Sequence, residues 1–408
     1  MGQVIRVRTS RVPRFEAVAA TLLDDPYPTY ATFREAGPVI RAGPAQWVVT
    51  RYAEVAALLR DPRVGEEFPE AYNRAAKGHG PIASFFRRII VNRDPPYHTN
   101  LRRLMAAAFT PRLVAELGPR IATLADELLA PVAERGRMDV VPDLAYPLPV
   151  RVACELIGVR PGDWATVKPW VDDLARAFTG IVPEADRGTA DAALERMRAY
   201  MVDLYEERRR RPASDLVSGM AAALAAGHPL SRDEVVDNLV FLLFAAYETT
   251  VQLISTGLVL LLRHPRDLER LRADPSLLPG AVEEFLRYDS PVHSVVRLVN
   301  EPVEVGGSTI RAGRVVHLFL ASANHDERQF ERPEEFDILR SPNPHLSFGG
   351  GLHYCMGSAL ARLQAAVAIE RVLRRFALIE PAGEPVQKNN RTFRSYASIP
   401  VAVGPVEA

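Results

Sequence analysis

Phe348-Gly349-Gly350-Gly351-Leu352-His353-Tyr354-Cys355-Met356-Gly357 sets one cysteine in a glycine-rich loop, directly before a long stretch of helical periodicity. A cysteine so placed has sources of stabilisation for its thiolate: backbone N–H groups and the positive end of the following helix both favour an anion. The glycines let the backbone turn tightly and pass close beneath a flat ligand, where a Cβ would collide.

Working outward, the chain has 408 residues, of which 48% are hydrophobic and 25% charged, ordinary values for a globular enzyme. The formal net charge is zero, so composition gives no support for nucleic-acid binding or for adhesion to an acidic membrane. Lysine occurs only at Lys77, Lys168 and Lys388, so arginine supplies nearly all the positive charge. Cys154 and Cys355 are the only cysteines, too few for a zinc site or iron–sulfur cluster built from thiolates. Cys154 lies in the apolar stretch Val152-Ala153-Cys154-Glu155-Leu156-Ile157, which predicts a core position. The first twenty residues hold Arg6, Arg8, Arg11, Arg14 and Glu16 and no apolar run, so neither signal peptide nor membrane anchor is expected.

Much of the chain reads as helix. Val39–Thr50 reads as two short strands around Gly43-Pro44, and Val303–Phe319 as further strands broken by glycines. The sharpest helix runs from Arg232 to about Arg263, opened by a Ser231/Glu234 capping box and closed by His264-Pro265. Its centre, Leu239 to Tyr247, is apolar on every side, which predicts burial; Glu248, Thr249, Thr250 and Gln252 interrupt the run and argue against a membrane span. A carboxylate at mid-helix is costly to bury and points to a use.

The cysteine loop resembles the heme-binding loop of the cytochromes P-450, the heme-thiolate monooxygenases. Phe348, Gly351, His353, Cys355 and Gly357 fill that family's fixed positions. Two further segments agree. Ala245-Ala246-Tyr247-Glu248-Thr249-Thr250 resembles the oxygen-activation segment, with Ala246 where the family most often has Gly, and Glu284-Phe285-Leu286-Arg287 resembles the Glu-x-x-Arg pair. The resemblance implies a mainly α fold with a smaller β region (α+β), a single catalytic domain over 1–408, and heme b between the long central helix and the cysteine loop. It implies Cys355 as axial iron ligand, Glu248 and Thr249 as the pair delivering protons while the O–O bond breaks, and Glu284 with Arg287 as scaffold. The family's third scaffold partner stays unassigned within Phe330–Asp337.

By the same resemblance Phe348, Gly349, His353, Gly357 and Ala245 contact heme, and His98, Arg102 and Arg297 join His353 on its two propionates. His98 and Arg102 are four apart and share a helix face, whereas Arg103 is expected to point away. Substrate walls are expected from 63–93, 164–200, 239–246, 291–296 and 391–397, with Phe85, Phe86, Phe178, Phe244, Val292, Val295, Phe393 and Tyr396 as apolar contacts. Arg87, Arg88 and Arg394 either recognise a carboxylate or form solvated surface. His293, His325 and His345 are given structural roles.

With the chain stopping about 50 residues after Cys355, no fused redox domain is expected. Electrons then come from a separate ferredoxin and ferredoxin reductase, in a cytoplasmic, monomeric enzyme. The implied activity is hydroxylation or epoxidation, with O2, of an apolar, medium-sized small molecule of secondary metabolism. The alternatives are oxidative coupling or ring formation without oxygen insertion, and a non-catalytic heme sensor.

Overall fold

The computed structural model describes residues 25–106, 109–178, 182–388 and 395–405. Helices dominate and a small β region lies to one side, as the sequence predicts. The long helix occupies Arg232–Arg263, and its capping box is complete: Glu234 N–H donates to Ser231 Oγ at 3.2 Å, and Ser231 N–H to Glu234 Oε2 at 2.8 Å. Thirty-two residues at 1.5 Å each span roughly 48 Å. Among the described residues it is the one helix long and apolar enough to cross a membrane, yet most of that apolar surface is buried inside the protein.

Several helices pack against it, and two of them carry the motifs. One is Leu278–Tyr288, which carries Glu284 and Arg287. The other is Ser358–Arg375, which follows the cysteine loop and has Gly357 as its N-cap. The closest approach is at Gly257 of the long helix, where a Cβ would lie 2.9 Å from Phe285 Cδ2 and 3.0 Å from Ile369 Cδ1. Any larger residue would push the three helices apart.

The principal sheet has five strands in the order Val39–Arg41, Gln46–Val49, Val315–Leu318, Val295–Val299, Val64–Gly65. All pairings are antiparallel except that of Gln46–Val49 with Val315–Leu318. Val49, Val299, Val316 and Leu318 are wholly buried and form a second core beside the large helical one. The register pairs Val64 with Val299 and Gly65 with Leu298. That places the segment after Gly65 alongside Arg297. Cys154 is buried in the helical core, where burial pushes its thiol up to about 12, as suits an inert packing residue.

Candidate functional site

The cysteine loop is built from hydrogen bonds to itself. Cys355 N–H donates to Phe348 O at 2.9 Å and Gly349 N–H to Leu346 O at 2.8 Å, closing the loop on either side. Gly349 and Gly351 have φ of +70° and +64°, the left-handed region that favours glycine. At Gly351 space is also decisive, since a Cβ would sit 2.3 Å from Leu59 O. At this position the close approach is to the protein's own backbone. Phe348 stacks under the guanidinium of Arg362, 4.4 Å from its ring centre. Arg362 in turn grips Glu283 through Nε at 2.6 Å and Nη2 at 2.8 Å, tying the cysteine helix to the helix of Glu284. His345 joins them, 3.1 Å from Glu283.

The Cys355 side chain is accessible. Desolvation by the surrounding protein nevertheless raises its thiol above the usual value, opposed by the Gly357 backbone N–H and by the charges of Arg102 and Arg362. A cation bound to the sulfur would reverse the balance and hold the thiolate.

Next to it the structure gathers the four side chains expected at the heme carboxylates. The rings of His98 and His353 lie 4.2 Å apart. Arg102 donates to Tyr354 O at 2.8 Å, while Arg103 is exposed. His98 is 1% exposed, and neither ring nitrogen has a hydrogen-bond partner among the described residues. Burial, with the charges of His353 and Arg102, lowers its pKa to about 4. A buried imidazole without a partner is expensive, and a carboxylate from a ligand would satisfy it. Arg297 lies in the same group through Glu66, a residue the motifs did not indicate: its Oε1 is 2.6 Å from Arg297 Nη2 and 3.7 Å from His353 Nδ1.

On the long helix, Glu248 is 8% exposed. Its pKa is raised by burial first, opposed by Lys388 at 3.8 Å, and supported by the charge of Asp172. Lys388 had no place in the sequence reading. Asp172 is itself held by Lys168 at 2.6 Å and by the Tyr146 hydroxyl at 2.8 Å. Thr249 donates to Ala245 O at 3.5 Å, a contact long enough to be released easily, whereas Thr250 makes the better bond to Ala246 O at 3.2 Å.

Five aromatic rings gather on the same side. Phe178 stacks on Phe244 at 3.9 Å and meets Phe86 at 4.8 Å and Phe241 at 6.1 Å; Phe85 meets Phe86 edge-on at 5.7 Å. Phe241 lies within the expected 239–246 wall, though it was not singled out among the apolar contacts. Tyr396 is buried in the same helical core, while Val292 and Val295 pack against the sheet core instead. Phe393, Arg391 and Arg394 lie outside the described residues. Arg88 is neither free for substrate nor plain surface: it pairs with the wholly buried Asp237 of the long helix, while Arg87 faces solvent beside Glu70. His293, His325 and His345 bond Tyr30, Tyr288 O and Glu283 respectively, consistent with structural roles.

The Glu284–Arg287 pair is buried, at 1% and 0% exposure. Its third partner is Arg340, whose Nε lies 3.2 Å from Glu284 Oε2, with Asn343 as a fourth at 3.0 Å. Both fall beyond the Phe330–Asp337 window. Arg340 also donates to the carbonyls of Glu331, Arg332 and Glu335, so this cation laces the window from outside.

Comparison with known proteins agrees with this arrangement. Residues 165–401 match the family model for cytochrome P-450. The Vitamin D(3) 25-hydroxylase of Pseudonocardia autotrophica is 36% identical over 98% of this chain and 99% of its own. The cytochrome P-450 monooxygenase PikC of Streptomyces venezuelae is 38% identical over 92% of this chain and 91% of its own. Among solved structures, P450BioI in complex with an acyl carrier protein ligated to hexadec-9Z-enoic acid superposes with a TM-score of 0.88, at 35% identity, over 94% of this chain and all of that one.

Proposed function

The chain belongs to the cytochrome P-450 family, as a monooxygenase that uses heme b, and from that premise we propose that it inserts oxygen into an apolar, medium-sized molecule of secondary metabolism by hydroxylation or epoxidation. The observation that carries the site assignment is the pairing of accessible, desolvated Cys355 with buried, unpartnered His98. These residues fit heme: a sulfur at a helix N-terminus for the iron, and His98, Arg102, Arg297 and His353 for the carboxylates. When bound, heme b supplies the iron at which dioxygen is activated with two electrons. Phe348 and Gly349 of the cysteine loop and Ala245 of the long helix would help to hold it, and the whole chain acts as one catalytic domain.

The chain's own part is to move protons and exclude water. Glu248, raised by burial, holds a proton that Thr249 can pass on once its long bond to Ala245 O is released. Lys388, 38% exposed, links the buried acid to solvent from which it is reloaded. Phe85, Phe86, Phe178, Phe241 and Phe244 make the distal side apolar, so an apolar substrate gains by displacing water there. Electrons are supplied by a separate ferredoxin and its reductase.

Two experiments test this reading. Cys355→Ala should lose the thiolate signature in the reduced carbonyl spectrum, and a normal spectrum would overturn the ligand assignment. The ferric protein is then titrated with polyketide, terpenoid and fatty-acyl compounds, the last both free and on an acyl carrier protein. A saturable Soret shift identifies the substrate class, and turnover should add one oxygen to the product mass. A product lacking only hydrogen would replace insertion by coupling.

A further inference from the structure

Glu66 belongs to none of the motifs above, yet the sheet register carries it directly to the heme carboxylate cluster. Val64 pairs with Val299 and Gly65 with Leu298, so the next step along both strands sets Glu66 opposite Arg297. The two side chains meet at 2.6 Å with 13% and 6% exposure, inside the protein and not on a solvated rim. Asp94 fixes the backbone there: it accepts the N–H of Glu66 at 2.9 Å and of Glu67 at 3.3 Å. His353 bridges the two acids, with Nδ1 3.7 Å from Glu66 and Nε2 3.8 Å from Asp94. Glu66 is thus anchored in the group of cations that the heme carboxylates require.

We propose that Glu66 is a second carboxylate at the heme carboxylate site, sharing Arg297 with the cofactor and making heme retention depend on pH. The proposal rests on the assignment of Arg297 given above. A guanidinium has five donors and can serve two carboxylates at once, but two buried like charges on one cation repel, and the repulsion is relieved when one takes up a proton. Glu66 is poised to be that one. Burial raises its pKa, Arg297 and His353 oppose the rise, and Asp94 adds to it. His98 and Arg102 complete the charged groups behind His353.

The sign follows. At low pH Glu66 is neutral and the full charge of Arg297 acts on the cofactor. As pH rises through the Glu66 transition, its ionised carboxylate cancels that charge and heme is held less tightly. The decisive quantity is the difference between wild type and Glu66→Gln, which keeps an acceptor for Arg297 but cannot ionise.

The test is transfer of heme from the purified holoprotein to excess apomyoglobin, followed at the Soret band from pH 5.5 to 8.5. The wild-type rate should rise several-fold more across this range than that of Glu66→Gln, whose amide cannot ionise. Glu66→Asp, which can still ionise, should retain the steeper rise. Arg297→Gln should lose heme faster at every pH. Superposable profiles for wild type and Glu66→Gln, with Arg297→Gln still fast, would overturn the role of Glu66 alone. An unchanged rate in Arg297→Gln would overturn the Arg297 assignment and the proposal together.

Discussion

Replacing Arg287 by alanine strips a wholly buried carboxylate of its principal counter-charge. Arg287 uses all five of its N–H donors: two go to the oxygens of Glu284, both at 2.8 Å, and three to the carbonyls of Asn324 at 3.0 Å, Pro333 at 2.8 Å and Glu335 at 3.1 Å. Breaking a buried ion pair from one side costs about 3–5 kcal/mol, because the remaining charge keeps its desolvation penalty. The three released carbonyls would add about 1 kcal/mol each if they stayed dry. Arg340 at 3.2 Å and Asn343 at 3.0 Å still serve Glu284, which draws the sum back toward about 4 kcal/mol. Against a typical stability of about 5–15 kcal/mol that loss is large. The assay is urea unfolding of the heme-loaded protein, with Soret and far-ultraviolet signals recorded together. Adding Glu284→Gln should recover part of the loss, since the stranded charge is then gone. A change within about 1 kcal/mol for Arg287→Ala would refute the reasoning, as would a double variant no better than the single.

Thr249→Ala should still bind heme but release several-fold more hydrogen peroxide per electron, because the link between Glu248 and oxygen is cut; an unchanged product yield per electron would refute the role. Lys388→Met removes the cation that opposes the upward shift of Glu248. The acid then keeps its proton to higher pH, so the alkaline limb of coupled turnover should move up, with Lys388→Arg restoring it; an unmoved limb would exclude Lys388 from the proton route. Gly351→Ala, with φ +64° and Leu59 O at 2.3 Å, should cost about 2–4 kcal/mol and lower heme occupancy, measured as the ratio of Soret to protein absorbance. Gly349→Ala, with φ +70° but its nearest neighbour, His353 O, at 4.0 Å, should cost only about 1 kcal/mol in the same measurement.

Local patterns carried much of this protein. The cysteine loop, the capping box of the long helix and the three-residue spacing of Glu284 and Arg287 are short-range signals, and short stretches of backbone geometry are enough to realise them. The grouping of His98 with His353 also follows the motif reading. The surroundings of the expected apolar contacts were not legible. Phe85, Phe86, Phe178 and Phe244 lie together against the helical core, while Val292 and Val295 are partly buried against the sheet core, because an apolar side chain by itself carries no mark of which of two cores it faces.

Sequence by itself thus determined the family, the cofactor and the long buried helix. Tertiary structure alone decided the charge partners. Arg340 reaches Glu284 across 56 residues, Glu66 meets Arg297 through strand register, Lys388 reaches Glu248, and Arg88 neutralises Asp237. The reason is physical. A motif fixes what its own few residues can do, whereas a buried charge is stable only with a partner, and which of 50 arginines and lysines supplies it depends on how distant segments pack.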